Sequence, residues 1–167
     1  MLEGYSDSDY AKDPVKRCLV SGFCTFLEGC VLNTKSHMRP VVTLSVMQAE
    51  LVMAMECAQD LIYEKNILEL IGLKVHLPIN LYINNSGCIY LICNWSSGRR
   101  THHMDTHMFW IHEVEEEEPS IIHPVYCPSA LNRSDIYTKN CETSLFNDHV
   151  NVFCTDNIYN NNIINYN

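Results

Sequence analysis

The sequence predicts a mixed α/β fold, one sheet flanked by helices, and three features carry that expectation. Strand-like runs crowd the first part of the chain: a strand that begins almost at residue 1 and ends at Ser6-Asp7, then Cys18–Leu27 (CLVSGFCTFL), then Cys30–Thr34. Helical and β-like segments alternate afterwards, and strands followed by alternating helix and strand make a mixed sheet covered by helices. The 167 residues, with ordinary apolar and charged fractions, suit one domain with a real core.

Taken in order, the second and third strands are separated by Glu28-Gly29, a hairpin turn signal. Ser36 to Pro40 is polar, ends in proline, and is expected to be a loop. Ser45 is placed to cap a long helix, with Gln48 three residues on in the position of a capping box. Leu51, Met55, Ala58 and Ile62, with Ala54, Leu61 and Leu68, recur at helical spacing to about Leu70, where Gly72 stops the helix. Pro78–Ile83 alternates as a strand, Ser86–Cys93 is a short helix, and Ser96-Ser97-Gly98 is a loop. Thr101–Glu117 reads as a second long helix, Ile121–Val125 as a strand, and Leu131 onward as helix.

The chemistry sits at the ends of these elements. Asp7 closes the first strand, Asn84 follows the Leu81-Tyr82-Ile83 strand, Glu50 lies in the first turn of the long helix, and Asp135 stands at a helix start, where it could cap the helix or close the same cluster. Sites in open α/β sheets form outside the carboxyl ends of adjacent parallel strands. Glu50 shares an inward stripe with Ala54, Cys57 and Leu61, and a carboxylate there is costly without a partner. Hard oxygen donors of this kind suit Mg²⁺ or Mn²⁺. Each acid taken singly is read more simply as a cap or surface group; the joint pattern argues for a site.

A net charge of −9 argues against a protein that grips nucleic acid by bulk electrostatics. Basic pairs at Lys16-Arg17 and Arg99-Arg100 leave room for a local patch. The Glu115–Glu118 run is most simply a solvated helix end or loop. Nine cysteines, odd in number and without a Cys-x-x-Cys pair, fit a reducing compartment. No apolar run is long enough to span a bilayer.

Several motifs together resemble a known family. Gly4-Tyr5-Ser6-Asp7-Ser8-Asp9, Ser21-Gly22-Phe23, Thr34-Lys35-Ser36, Gln48-Ala49-Glu50-Leu51, Leu81-Tyr82-Ile83-Asn84-Asn85, Arg100-Thr101-His102-His103-Met104-Asp105 and Ser134-Asp135-Ile136-Tyr137-Thr138-Lys139 stand in the order of copia-type retrotransposon polyproteins. They are similar to the ribonuclease H domain that follows the reverse transcriptase, over roughly residues 2–154. The resemblance implies a five-stranded mixed sheet and cleavage of the RNA strand of an RNA–DNA hybrid by two metal ions, Mg²⁺ or Mn²⁺. It implies a reverse transcriptase domain in a parent polyprotein as partner, no membrane, and a place inside the cell: cytoplasm, virus-like particle or nucleus.

Matched residue by residue, Asp7 is the first metal-binding acid, Glu50 the second and Asp135 the last and weaker one. The third acid should be Asp and is Asn84 here, and Gln48 replaces an acid common in the family. An amide keeps one neutral carbonyl oxygen and loses the negative charge that holds a divalent ion. The expectation is a retained fold with a weakened metal site and nuclease activity largely lost; the alternative is a non-catalytic nucleic-acid-binding or structural remnant.

Other candidates compete. Arg99 and Arg100 are the best phosphate contacts, against an ordinary exposed pair. His103 and His107, with His102, Asp105 and His112 nearby, have zinc-binding spacing, yet no Glu follows the first His as a zinc protease requires. Cys18, Cys24 and Cys30 are evenly spaced and expected on one buried face of two strands. Trp95, Trp110 and Tyr126 are expected to pack or anchor loops rather than stack on bases.

One domain over residues 1–154 is expected, followed by a disordered tail over 155–167 whose Asn-rich run, DNIYNNNIINYN, reads as translation past a lost frame. The abrupt first strand predicts a chain cut from something longer, or started at an internal Met.

Overall fold

The computed structural model describes residues 1–10, 18–40, 46–94 and 105–153. One five-stranded sheet organises them, in the order β3-β2-β1-β4-β5. β1 (Leu2–Tyr10), β2 (Cys18–Leu27) and β3 (Cys30–Pro40) form an antiparallel meander. β4 (Ile79–Ile83) pairs parallel to β1, and β5 (Ile122–Tyr126) parallel to β4. The expected mixed sheet with flanking helices is what forms.

Local chemistry explains most boundaries. Glu28 and Gly29 both take positive φ, 51° and 81°, the two-residue turn whose twist suits a tight hairpin. α1 runs Val46–Leu70. It ends where Leu73 N donates to Leu68 O at 2.9 Å and Gly72 N to Glu69 O at 3.0 Å, with Gly72 at φ 88°. That paired arrangement satisfies the last carbonyls and needs a left-handed residue. α2 (Ser86–Cys93) is capped by Asn85, whose side chain accepts from Cys88 N at 3.1 Å. The Ser45 cap of α1 lies outside the described residues.

Two expectations are corrected. Residues Ser36–Pro40 are strand, not loop: Gly22 pairs with Ser36 and Cys18 with Pro40. β3 is an edge strand, so polar, exposed side chains and a terminal Pro are compatible with pairing. After β5 no helix begins at Leu131. Two short 3₁₀ turns, Ser129–Leu131 and Arg133–Tyr137, come first, and α4 spans Thr143–Phe153. Asn132 accepts from Ser134 N at 3.1 Å and Thr138 Oγ1 donates to Asp135 O at 3.3 Å, local side-chain bonds that compete with a continuing helix.

A core lies on each face of the sheet. Ala54, Cys57, Ala58 and Leu61 of α1 bury against Leu81, Ile83 and Leu2, and α2 and α3 (Asp105–Glu116) extend that layer through Cys88, Ile92 and Ile111. A Cβ on Gly4 would stand 2.8 Å from Cys57 Sγ, so bare backbone lets α1 lie close on β1. On the other face Tyr5, Cys24, Phe26 and Cys127 pack with Tyr82, Tyr137 and Phe153.

The expectation for the cysteines holds in part. Cys24 is fully buried. A bulge between Thr25 and Phe26 puts Phe26 opposite Val31 and Leu27 opposite Cys30, which moves Cys30 to the opposite face from Cys24 and leaves it partly exposed. The side chain of Cys18 lies outside the described residues, as does the expected tail.

Candidate functional site

The parallel pairing of β1 with β4 stops at Ser6 and Ile83, so Asp7 and Asn84 stand side by side where that ladder ends; Asp7 does not close β1 as expected, because the strand continues to Tyr10 against β2 alone. The Asn84 amide donates from Nδ2 to Asp7 Oδ1 at 2.6 Å and to Ser129 Oγ at 3.1 Å. Glu50 arrives from the first turns of α1, beside Ala49, whose carbonyl accepts from Ser8 Oγ at 3.2 Å. Asp7, Glu50 and Asp135 are 1%, 4% and 3% exposed.

Asp135 is held in place by its neighbours. Asn132 Nδ2 donates to Ser6 O at 3.0 Å, tying the Arg133–Tyr137 turn to β1. Arg133 lies over the rings of Tyr5 and Phe26, 5.0 and 4.6 Å from their centroids, and pairs with Glu3 at 3.2 Å. Ser36 Oγ donates to Tyr137 O at 2.6 Å from the edge strand. Gly22 completes the seat: a Cβ there would stand 2.8 Å from Tyr137 Cβ and 3.2 Å from Thr138 Cγ2. Of the two places expected for Asp135, it is not the helix cap, because Asn132 is the cap and Asp135 lies in the first turn.

Seated this way, the turn delivers two further groups to Asp7. Thr138 Oγ1 donates to Asp7 Oδ2. Lys139 Nζ stands 3.4 Å from Asp7 Oδ1, 3.3 Å from Oδ2 and 2.9 Å from Asp135 Oδ2. Within the Ser134–Lys139 motif, nothing in the sequence alone marks either residue as part of the site. The available signal was the i, i+4 spacing of Asp135 and Lys139 in the last motif; that Lys139 also reaches Asp7, 132 positions away, needs the fold.

Burial dominates the electrostatics. The Glu50 carboxyl is pushed up to about 8, by desolvation first and then by the nearby charge of Asp7. Asp135 rises to about 6 for the same two reasons, against the opposing pull of Lys139. Burial works against the Lys139 ammonium, yet the Asp7 and Asp135 carboxylates outweigh it and raise its pKa.

The four expected side chains are thus gathered around one edge, and all offer oxygen. As arranged they do not make a ready cation site. Among the described residues no group of three His, Cys, Asp or Glu side chains is disposed to hold a metal ion. Both Asp7 oxygens already accept hydrogen bonds, and Asn84 turns its donor nitrogen toward Asp7, leaving its buried Oδ1 without a partner among the described residues. Glu50 Oε2 and Asp135 Oδ1 are likewise buried without a hydrogen bond to any described residue.

Arg99 and Arg100 lie outside the described residues, with Trp95, His102 and His103. The side chain of His107 does too. His112 faces Ile92 O at 2.8 Å through Nδ1 and Glu116 at 3.4 Å through Nε2, linking α3 to α2. Trp110 packs against the core as expected, whereas Tyr126 at the end of β5 is exposed, because the strand stops there. Glu116 to Glu118 are exposed at the end of α3. Among the described residues no helix is long and apolar enough to cross a membrane. An open groove of about 730 Å³, lined by Asp9, Val20, Tyr137 and Lys139 among others, runs beside the cluster.

No protein-family model matches the chain. Over 118 residues, 71% of its length, it is 30% identical to a retrovirus-related Pol polyprotein from transposon TNT 1-94 of Nicotiana tabacum. The match spans 9% of that polyprotein. Among solved structures, LC11-RNase H1 in complex with an RNA/DNA hybrid superposes with a TM-score of 0.58 at 15% identity, covering 83% of this chain and 94% of that one. RNase H1 from the halophilic archaeon Halobacterium salinarum gives 0.56 at 12% identity, over 88% of this chain and 98% of that one. The fold is that of ribonuclease H.

Proposed function

We propose that this chain, which has the ribonuclease H fold and is similar in sequence to a retrovirus-related Pol polyprotein, is the ribonuclease H domain of a copia-type retrotransposon polyprotein. In this reading it works inside the cell beside a reverse transcriptase domain and takes RNA–DNA hybrids as substrate. Its cleavage of the RNA strand is weak. The carrying observation is the convergence of Asp7, Asn84 and Asp135 where the parallel pairing of β1 with β4 ends, with Glu50 beside them.

Asn84 is the reason activity is low. The carboxylates and the Asn84 carbonyl are the groups that would hold the divalent Mg²⁺ or Mn²⁺ the resemblance calls for, yet Asp7 and Asp135 are engaged by Lys139. Replacing one acid by an amide removes about 3–5 kcal/mol of transition-state stabilisation, by analogy with other electrostatic catalytic groups, or a factor on the order of 10²–10⁴ in rate. The groove beside Lys139 is where a strand would approach, and Arg99 and Arg100 are the proposed phosphate contacts.

The test is cleavage of an end-labelled RNA–DNA hybrid in Mn²⁺ by the wild-type chain and by Asn84→Asp. The variant should cut on the order of 10²-fold faster or more. Equal rates in the two proteins would overturn the assignment of Asn84. Tight hybrid binding with no cleavage by either protein would favour a non-catalytic binding module.

A further inference from the structure

We propose that Lys139 is the resident cation of this site: its ammonium occupies the position between Asp7 and Asp135 and excludes a divalent ion from it. The inference rests on the reading of these residues as the family's acid cluster and goes beyond it by naming what fills the cluster.

Geometry carries it. Lys139 Nζ is nearly equidistant from the two oxygens of Asp7, at 3.4 and 3.3 Å, and closer to Asp135 Oδ2, at 2.9 Å. Ser129 Oγ lies 3.5 Å away as a fourth oxygen. An ammonium has three donors and no acceptor, so an all-oxygen surround of this kind suits it. The two carboxylates are 1% and 4% exposed as side chains and Lys139 is 27% exposed, so the pair is poorly screened by water.

The ammonium is also anchored from its own backbone. Thr138 N and Lys139 N donate to Asp135 O at 3.1 and 2.9 Å, so the main chain holding Asp135 also aims the lysine. The Asn84 amide and the Thr138 hydroxyl take up the remaining capacity of Asp7. A small divalent ion needs carboxylate oxygens at about 2.0–2.1 Å in near-octahedral geometry. To bind Asp7 and Asp135 it must expel the ammonium and break the amide and hydroxyl bonds together. Asn84 favours the lysine here, because an acid at that position would add a negative charge that a divalent ion neutralises better than a single ammonium.

The test uses Mn²⁺ alone as probe, followed by the loss of its free-ion electron paramagnetic signal and by thermal melting in EDTA and in Mn²⁺. Lys139→Met keeps an unbranched stem and removes the charge; Lys139→Arg keeps the charge. Lys139→Met should bind Mn²⁺ about tenfold more tightly than wild type or better, and should gain melting temperature in Mn²⁺ where wild type and Lys139→Arg gain little. Folding of Lys139→Met only when Mn²⁺ is present would support the proposal in the same way. Equal Mn²⁺ affinity in wild type and Lys139→Met overturns it. So does a wild-type chain that Mn²⁺ stabilises strongly, a result that stands even if Lys139→Met does not fold at all. Because no readout is cleavage, restored nuclease activity in Asn84→Asp with unaltered Mn²⁺ binding in Lys139→Met would sink this inference alone. The converse pair of results would sink only the nuclease reading.

Discussion

Asn84 and Asp7, 77 positions apart in the chain, meet side chain to side chain, with the amide donating to the carboxylate at 2.6 Å. The bond joins β1 to the residue after β4 just past their shared parallel ladder, and it exists because residue 84 carries an amide donor.

Asn84→Asp therefore has a cost that is independent of catalysis. It replaces a hydrogen bond to a buried charged group by two carboxylates in contact. In EDTA the variant should lose about 1–3 kcal/mol of stability, measured by urea melts followed by circular dichroism. Addition of Mn²⁺ should return much of the loss. A variant as stable as wild type in EDTA would show that the bond contributes nothing net.

Asn132 should be among the least replaceable polar residues. It is fully buried, donates to Ser6 O at 3.0 Å, and accepts from both Ser134 N at 3.1 Å and Ser134 Oγ at 2.7 Å. Asn132→Ala removes a cap and leaves Ser6 O short of a partner, an expected loss of about 2–3 kcal/mol. Hydrogen exchange should report it as faster opening of the Arg133–Tyr137 turn ahead of the sheet.

Arg133 is expected to tolerate lysine poorly. Its guanidinium stacks over Tyr5 and Phe26 while holding Glu3 at 3.2 Å, and only a planar cation does both. Arg133→Lys should lower stability by about 1 kcal/mol, read as a shift in denaturation midpoint without change in slope.

Away from the site, Glu64 predicts a pH dependence. Burial raises its carboxyl, the Thr25 hydroxyl bonded at 2.6 Å lowers it, and Asp60 raises it again, to about 7 from an ordinary 4.5. Between those values the folded chain keeps a proton that the unfolded chain releases, so this stabilising contribution is present in full below about 4.5 and is lost as pH rises to about 7. With solvent screening allowed for, the effect is about 1 kcal/mol. Glu64→Gln should flatten stability against pH over that window, and an unchanged slope would assign the dependence to other groups.

What could be read in advance was what local chemistry announces. Glu28-Gly29 and Gly72 mark ends that tertiary contacts do not override. The second half of β3 was hidden because an edge strand can be polar, and its pairing partner is what makes it a strand. The turn after β5 carries a helical pattern but does not form a continuous helix, because Asn132 and Thr138 act through their side chains on nearby backbone. At the candidate site, the acids and Asn84 stood out by motif order. Lys139 did not, since a lysine four residues after an aspartate is commonplace until the fold sets a second carboxylate beside it.

Gly22 gives that arrangement a narrow mechanical tolerance. It lies on β2, opposite Asp7 in the antiparallel register, and the absence of a side chain lets Tyr137 and Thr138 settle onto the strand. A single methyl at residue 22 would act as a shim under the turn, lifting Thr138 and Lys139 away from Asp7 together. The acid cluster is thus adjustable from a residue that carries no chemistry of its own.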